Sequence, residues 1–141
     1  MYNKVIIMIA LVVAISINGC ANTAINPTNA IIKQPTYYAN EGYSLREAGA
    51  DWIMVSIIPL AYSQLQISVK SRDDIKKPTC TYSSTAHLNP KTGDYEANGK
   101  GQNITFIFSD NQLEINSTDT NLLHYFCSGG ATLKGTYQQV N

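Results

Sequence analysis

The sequence predicts a small, mainly β domain, an antiparallel barrel or sandwich of about seven or eight strands. Three observations carry that prediction: apolar and polar residues alternate over short segments, turn residues interrupt them at regular intervals, and only one segment has the chemistry of a helix start and stop. That segment comes first. Ser44-Leu45-Arg46-Glu47 has the spacing of a capping box, in which the serine hydroxyl accepts from a backbone N–H and the glutamate reaches back, and Gly49 supplies a stop. One short N-terminal helix is expected there.

The residues from Trp52 to Ile58 are rich in β-branched and aromatic side chains and run into Pro59. Leu65, Ile67 and Val69 alternate with Gln66, Ser68 and Lys70, the period-two pattern of a half-buried strand. The pair is expected to join around Pro59-Leu60-Ala61. Cys80, Tyr82, Ser84, Ala86 and Leu88 fall on one face of the next strand, and Asn89-Pro90-Lys91-Thr92-Gly93 is turn chemistry. A short strand from Asp94 to Ala97 leads to Asn98-Gly99-Lys100-Gly101, which reads as a hairpin turn. Ile104, Phe106 and Phe108 then face inward, Ser109-Asp110-Asn111 turns the chain, and Leu113 and Ile115 return it. After the polar loop Thr118-Asp119-Thr120, the segments Leu122 to Cys127 and Thr132 to Tyr137 are expected to complete the sheet.

The first twenty residues have a different character. Lys4 precedes an uninterrupted apolar run from Val5 to Ile15, the charged head and short hydrophobic stretch of a secretory signal. As a helix the run to Ile17 would extend roughly 20 Å, too short for the hydrocarbon core of a bilayer at ~30 Å. The next residues, Ile17-Asn18-Gly19-Cys20, resemble the bacterial lipobox, with its aliphatic residue, tolerant position, small residue and cysteine. That resemblance implies cleavage before Cys20 and attachment of acyl chains to it. Each buried CH₂ is worth about 0.8 kcal/mol, so several chains make a lasting anchor where one would be marginal. Ala21, where an Asp would favour inner-membrane retention, points to the outer membrane. The alternative is an ordinary signal cleaved near Gly19 or Ala21, leaving Cys20 as a thiol. The expected organisation is a lipoprotein signal peptide over residues 1–19, a flexible lipidated tether over 20–40 rich in Asn, Thr and Pro, and a single β domain over 41–141. Tyr37-Tyr38 could dock back onto that domain.

Of three cysteines, lipid on Cys20 leaves Cys80 and Cys127 as an even pair in an oxidising compartment. A disulfide between them is expected; the alternative is two buried thiols. A domain of this size has little core to spare and gains from such a staple.

Ten acidic and ten basic residues cancel. A nucleic-acid partner would need a clustered basic surface, whereas the Lys70 to Lys77 segment interleaves both signs and reads as a solvated loop. His87 and His124 lack metal-ligand spacing, and no Gly-x-Ser-x-Gly elbow is present. Asp94, Glu96 and Asp110 each lie beside turn residues and read as turn chemistry. The sequence therefore predicts no catalytic residue, metal or cofactor, and a protein that is not an enzyme.

The most individual local pattern is Ser128-Gly129-Gly130, directly behind Cys127. It can be a tight turn or a presented loop with open backbone N–H groups. The whole layout is similar to the small β-barrel lipoproteins that inhibit c-type lysozymes, which share a lipobox, a polar tether, a β domain of this size and a disulfide reaching the last strands. That family carries a Ser-Gly-Ser-Gly loop ending in Arg-Tyr. Here Ser128-Gly129-Gly130 is followed by Ala131, and Lys134 is the nearest base. The resemblance implies a projecting polar loop in which Ser128, Gly129, Gly130 and Lys134 would contact the enzyme. The functional expectation is an outer-membrane-anchored lipoprotein with a non-catalytic binding or structural role, its partner an envelope protein or peptidoglycan. Inhibition of host lysozyme is the alternative. A third possibility, a ligand-carrying barrel, requires an interior that Phe106, Phe108 and Trp52 leave open.

Overall fold

The computed structural model describes residues 33–72 and 80–141. The predicted signal peptide, Cys20, most of the predicted tether and residues 73–77 of the Lys70 to Lys77 loop lie outside the described residues. The strands are β1 (Thr36–Ala39), β2 (Ile53–Pro59), β3 (Gln64–Ser71), β4 (Tyr82–Leu88), β5 (Tyr95–Gly99), β6 (Gln102–Ser109), β7 (Gln112–Ser117) and β8 (Gly135–Val140). Each pairs antiparallel with its sequence neighbours, and β8 returns to β1, closing an eight-stranded barrel. Between the two forms the sequence left open, closure selects the barrel.

The alternation read from the sequence becomes rows of inward side chains. Tyr38, Val55, Val69 and Tyr82 stand opposite one another across β1 to β4, while Ile115 of β7 faces Phe106 and Tyr137 of β8 faces Leu113. Phe106, Ile67, Ile104, Leu113 and Ile115 are fully buried. An eight-stranded barrel is just wide enough for its side chains to fill, and this one is filled. Phe106 and Phe108 take part in that filling. Trp52 does not: it precedes β2 and packs edge-on against Tyr43 at 5.6 Å.

The two ends differ, and the strand directions say which loops share each one. One end gathers the start of β1, the β2–β3 connection, the β4–β5 and β6–β7 turns and the end of β8. We call it the entry end, because the chain enters the barrel there. Phe108, flanked edge-on by Tyr38 and Tyr95, stops its opening. The distal end gathers the remaining connections, including a one-turn helix α1 (Leu122–Tyr125). Leu122, Leu123 and Leu133 are buried and plug it. The Leu133 N–H donates to Leu123 O at 3.1 Å, and the buried Tyr137 hydroxyl donates to Leu133 O at 2.7 Å, fixing the plug to β8.

Four expectations are corrected. The sheet starts at Thr36, before the expected domain boundary at 41, because the Tyr37-Tyr38 segment pairs with both β2 and β8 and puts Tyr38 into the core. The predicted helix is a 3-10 helix over Glu41–Ala48, and no capping box forms. Ser44 lies inside it and donates to Glu41 O at 3.0 Å; Gly49, at φ 85°, ends it as expected. The expected strand from Leu122 opens as α1, because two consecutive leucines must both face the barrel mouth, which a strand's alternation forbids. Finally, the β5–β6 turn is Lys100-Gly101, both at positive φ, and Asn98-Gly99 belongs to β5.

Candidate functional site

The end of β5 borders the most individual feature of the barrel. The β4–β5 ladder holds only at His87 opposite Glu96 and Leu88 opposite Tyr95. Toward the distal end the two strands part, and the sheet has a seam. The segment after α1 fills it: the Thr81 N–H donates to Phe126 O at 2.9 Å, and Cys80 and Cys127 face each other as an isolated β-bridge. They are joined by the expected disulfide across 47 residues of sequence. Phe126 enters the seam and meets Tyr82 edge-on at 4.8 Å.

Gly99 makes room for it. A Cβ at that position would stand 2.8 Å from Ile104 Cδ1 and 3.2 Å from Phe126 Cζ, so the absence of a side chain, not a turn conformation, is what the glycine supplies. The seam leaves a cleft of about 510 Å³ whose walls include Thr81, Ser83, Asn98, Lys100 and Phe126. Tyr82 also lines it, and its hydroxyl is buried with no hydrogen-bond partner among the described residues. Burial pushes its pKa above the ordinary tyrosine value.

Around the cleft the distal rim carries groups suited to contact. The Lys100 ammonium lies 4.4 Å from the centre of the Tyr125 ring, a cation–π pair, and Tyr125 is 64% exposed. His124 Nδ1 lies 2.9 Å from Ala131 O, which makes Nδ1 the donor and leaves Nε2 as the acceptor of the neutral ring. Ser128, Gly129 and Gly130 are exposed, with both glycines at positive φ and the Ala131 N–H returning to Ser128 O at 3.3 Å. The turn is thus a compact projection pinned by the disulfide on one side and the leucine plug on the other. Lys134 is exposed on the same rim, beyond buried Leu133, its N–H bonded to Thr132 Oγ1 at 3.1 Å.

The other singled-out residues have structural partners. Glu96 accepts from Asn89 Nδ2 at 2.7 Å and Asn103 Nδ2 at 3.3 Å, and Asp110 holds a turn at φ 46°. Arg72, at the head of the mixed-charge loop, pairs with Asp51 at 3.0 Å. Among the described residues no group of three or more His, Cys, Asp or Glu side chains could hold a metal. A second groove, about 500 Å³, lies on the outer wall of β1 to β3 between Tyr37, Met54, Ser56 and Lys70.

Sequence reasoning missed the seam, Phe126 and the Lys100–Tyr125 pair. Its only trace was a glycine placed between the small strand and its turn. No family model, curated protein or solved structure matches this chain.

Proposed function

We propose that this chain is a lipid-anchored lipoprotein of the bacterial outer membrane whose barrel works by binding rather than by catalysis. The observation that carries the reading is the cysteine arithmetic. Cys80 and Cys127 are bonded to each other, so Cys20, the final residue of Ile17-Asn18-Gly19-Cys20, is the one left over behind an apolar signal-like run. Lipid attachment there leaves no odd thiol in an oxidising compartment. The barrel's filled interior favours a surface partner over an enclosed ligand. The distal rim, with Tyr125, Lys100, His124 and the 128–130 turn, is the surface we assign to an envelope protein or peptidoglycan.

The test is metabolic labelling with a palmitate analogue followed by fractionation. The natural chain should carry label and sediment with outer membranes, whereas Cys20→Ala should be unlabelled and released. An unlabelled natural chain, or membrane retention of the Cys20→Ala protein, overturns the anchor.

Inhibition of a c-type lysozyme is a second reading, favoured by the exposed, pinned turn at 128–130. Purified protein should then protect a peptidoglycan suspension at stoichiometric dose, and lysis at the uninhibited rate rejects it.

A further inference from the structure

We propose that the β2–β3 hairpin tip, residues 60–63, is a membrane-resting foot: it sits in the interfacial layer of the same lipid surface that the anchor occupies. The inference rests on the lipid-anchor reading and adds an orientation to it.

Its first support is composition. Between the last acidic residue before β2, Asp51, and Lys70 near the end of β3, the chain has no Asp, Glu, Lys, Arg or His. The tip of this uncharged hairpin is Leu60-Ala61-Tyr62-Ser63, and it faces outward: Tyr62 is 92% exposed and Leu60 38%. Leu88, also 38% exposed, adjoins it, its N–H donating to Ser63 O at 3.1 Å. Exposed single apolar residues are ordinary, but here a nearly fully exposed tyrosine and a partly exposed leucine share one loop of a hairpin without charge, with a further exposed leucine at its base. Tyrosine with flanking aliphatics is what the headgroup boundary of a bilayer accepts, the ring in the apolar layer and the hydroxyl in water.

The second support is strain. Tyr62 and Ser63 both hold positive φ, 58° and 55°. Pro59 stands opposite Leu65 and the Leu60 N–H donates to Gln64 O at 2.8 Å, so these two residues lie in a three-residue loop, and positive φ is uncommon for side chains of this size. The Tyr62 ring stands clear of the barrel wall, 92% exposed.

The third support is position, and it selects the occupant. Thr36 opens β1 opposite Ile57 of β2, with the described residues 33–35 leading to it from the side of Pro59 and the tip. A chain arriving from Cys20 therefore joins the barrel at the end where the foot projects. Only fifteen residues, 21–35, lie between Cys20 and Thr36, so even a fully extended chain separates lipid from barrel by at most about 55 Å. A lipid on Cys20 is therefore tied to the barrel through this end. The distal rim, with its cleft and the 128–130 turn, then faces away from the lipid.

The test uses residues 21–141 with a hexahistidine in place of Cys20, tethered to vesicles of phosphatidylethanolamine and phosphatidylglycerol containing a nickel-chelating lipid. Orientation is thereby read independently of whether cells acylate Cys20, which the palmitate experiment decides separately. Hydrogen exchange should slow severalfold at residues 60–63 on tethering and stay unchanged at 100–101 and 128–130. A tryptophan reporter, Tyr62→Trp in a Trp52→Phe background, should shift to the blue and be quenched by brominated acyl chains. Tyr125→Trp in the same background should do neither. Unchanged exchange at 60–63 overturns the foot, as does equal protection at the distal rim. Protection that appears in solution with rising protein concentration also overturns it, because the occupant is then a second copy of the chain.

Discussion

Removing the Cys80–Cys127 cross-link should cost this barrel a large share of its stability. The bond closes a separation of 47 residues. In the chain-entropy model a loop of that length restricts the unfolded chain by about 4 kcal/mol, set against a typical domain stability of roughly 5–15 kcal/mol. The location adds to the case. The cross-link is what carries Phe126 into the seam between β4 and β5, where the ladder has only two residue pairs of its own. Without it the seam filler is held by the Thr81–Phe126 hydrogen bond and by packing. The comparison is urea unfolding of the oxidised protein against Cys80→Ala/Cys127→Ala, both with Cys20→Ser, followed by far-ultraviolet circular dichroism and Trp52 fluorescence. With a urea m-value of about 1–2 kcal/mol/M for this size, the midpoint should fall by about 2–4 M. An unfolding entropy of about 2.1 cal/mol/K per residue makes the same loss a melting-temperature drop of about 15–20 °C. The m-value should rise, because the unlinked denatured chain is less compact. Midpoints within 0.5 M of each other would refute the reasoning, and reduction of the natural cysteines provides the same comparison without mutation.

Other consequences are local. Gly99→Ala places a methyl against Ile104 and Phe126 and should destabilise by about 1–3 kcal/mol in thermal unfolding, as overpacking does. Two identical chemical changes should have opposite results by urea titration. Tyr137→Phe removes a hydroxyl that donates to Leu133 O and should cost about 1–3 kcal/mol, whereas Tyr82→Phe removes a buried hydroxyl with no described partner and should be neutral or slightly stabilising. Burial raises the pKa of Tyr38, Tyr82 and Tyr137, the last most strongly. Their unfolded forms ionise near pH 10 while the folded forms stay neutral. Stability from this source is therefore complete below about pH 10 and declines as pH rises past it. Tyr137→Phe should flatten that decline, and a pH-independent melting temperature between 9 and 11 would contradict it.

The strands were legible because side chains alternate across a strand with period two, so Leu65, Ile67 and Val69, or Ile104, Phe106 and Phe108, declare their inner face without reference to any partner. The cysteine pair was legible by counting. Local chemistry also misled: Ser44-Leu45-Arg46-Glu47 matches a capping box, but pairing of β1 with β2 starts the helix earlier and leaves Ser44 inside it. Asn98-Gly99-Lys100-Gly101 reads as a hairpin turn, and its second half is one, but Asn98 and Gly99 stay in the strand, where Gly99 leaves room for Phe126. Tyr37-Tyr38, placed at the end of the tether with the possibility of docking back, became a barrel strand because it pairs on both edges.

From residue types and their spacing alone came the β class, the turn positions to within a few residues, the Cys80–Cys127 pairing and the signal-like start. All of these depend on neighbours a few residues apart or on simple parity. Closure of β8 on β1, the seam that Phe126 fills, the leucine plug and the gathering of the uncharged tip at the chain's own entry end were decided by tertiary structure. Each depends on which distant strands share hydrogen bonds, and that is set by the packing of the whole core, which no local pattern encodes.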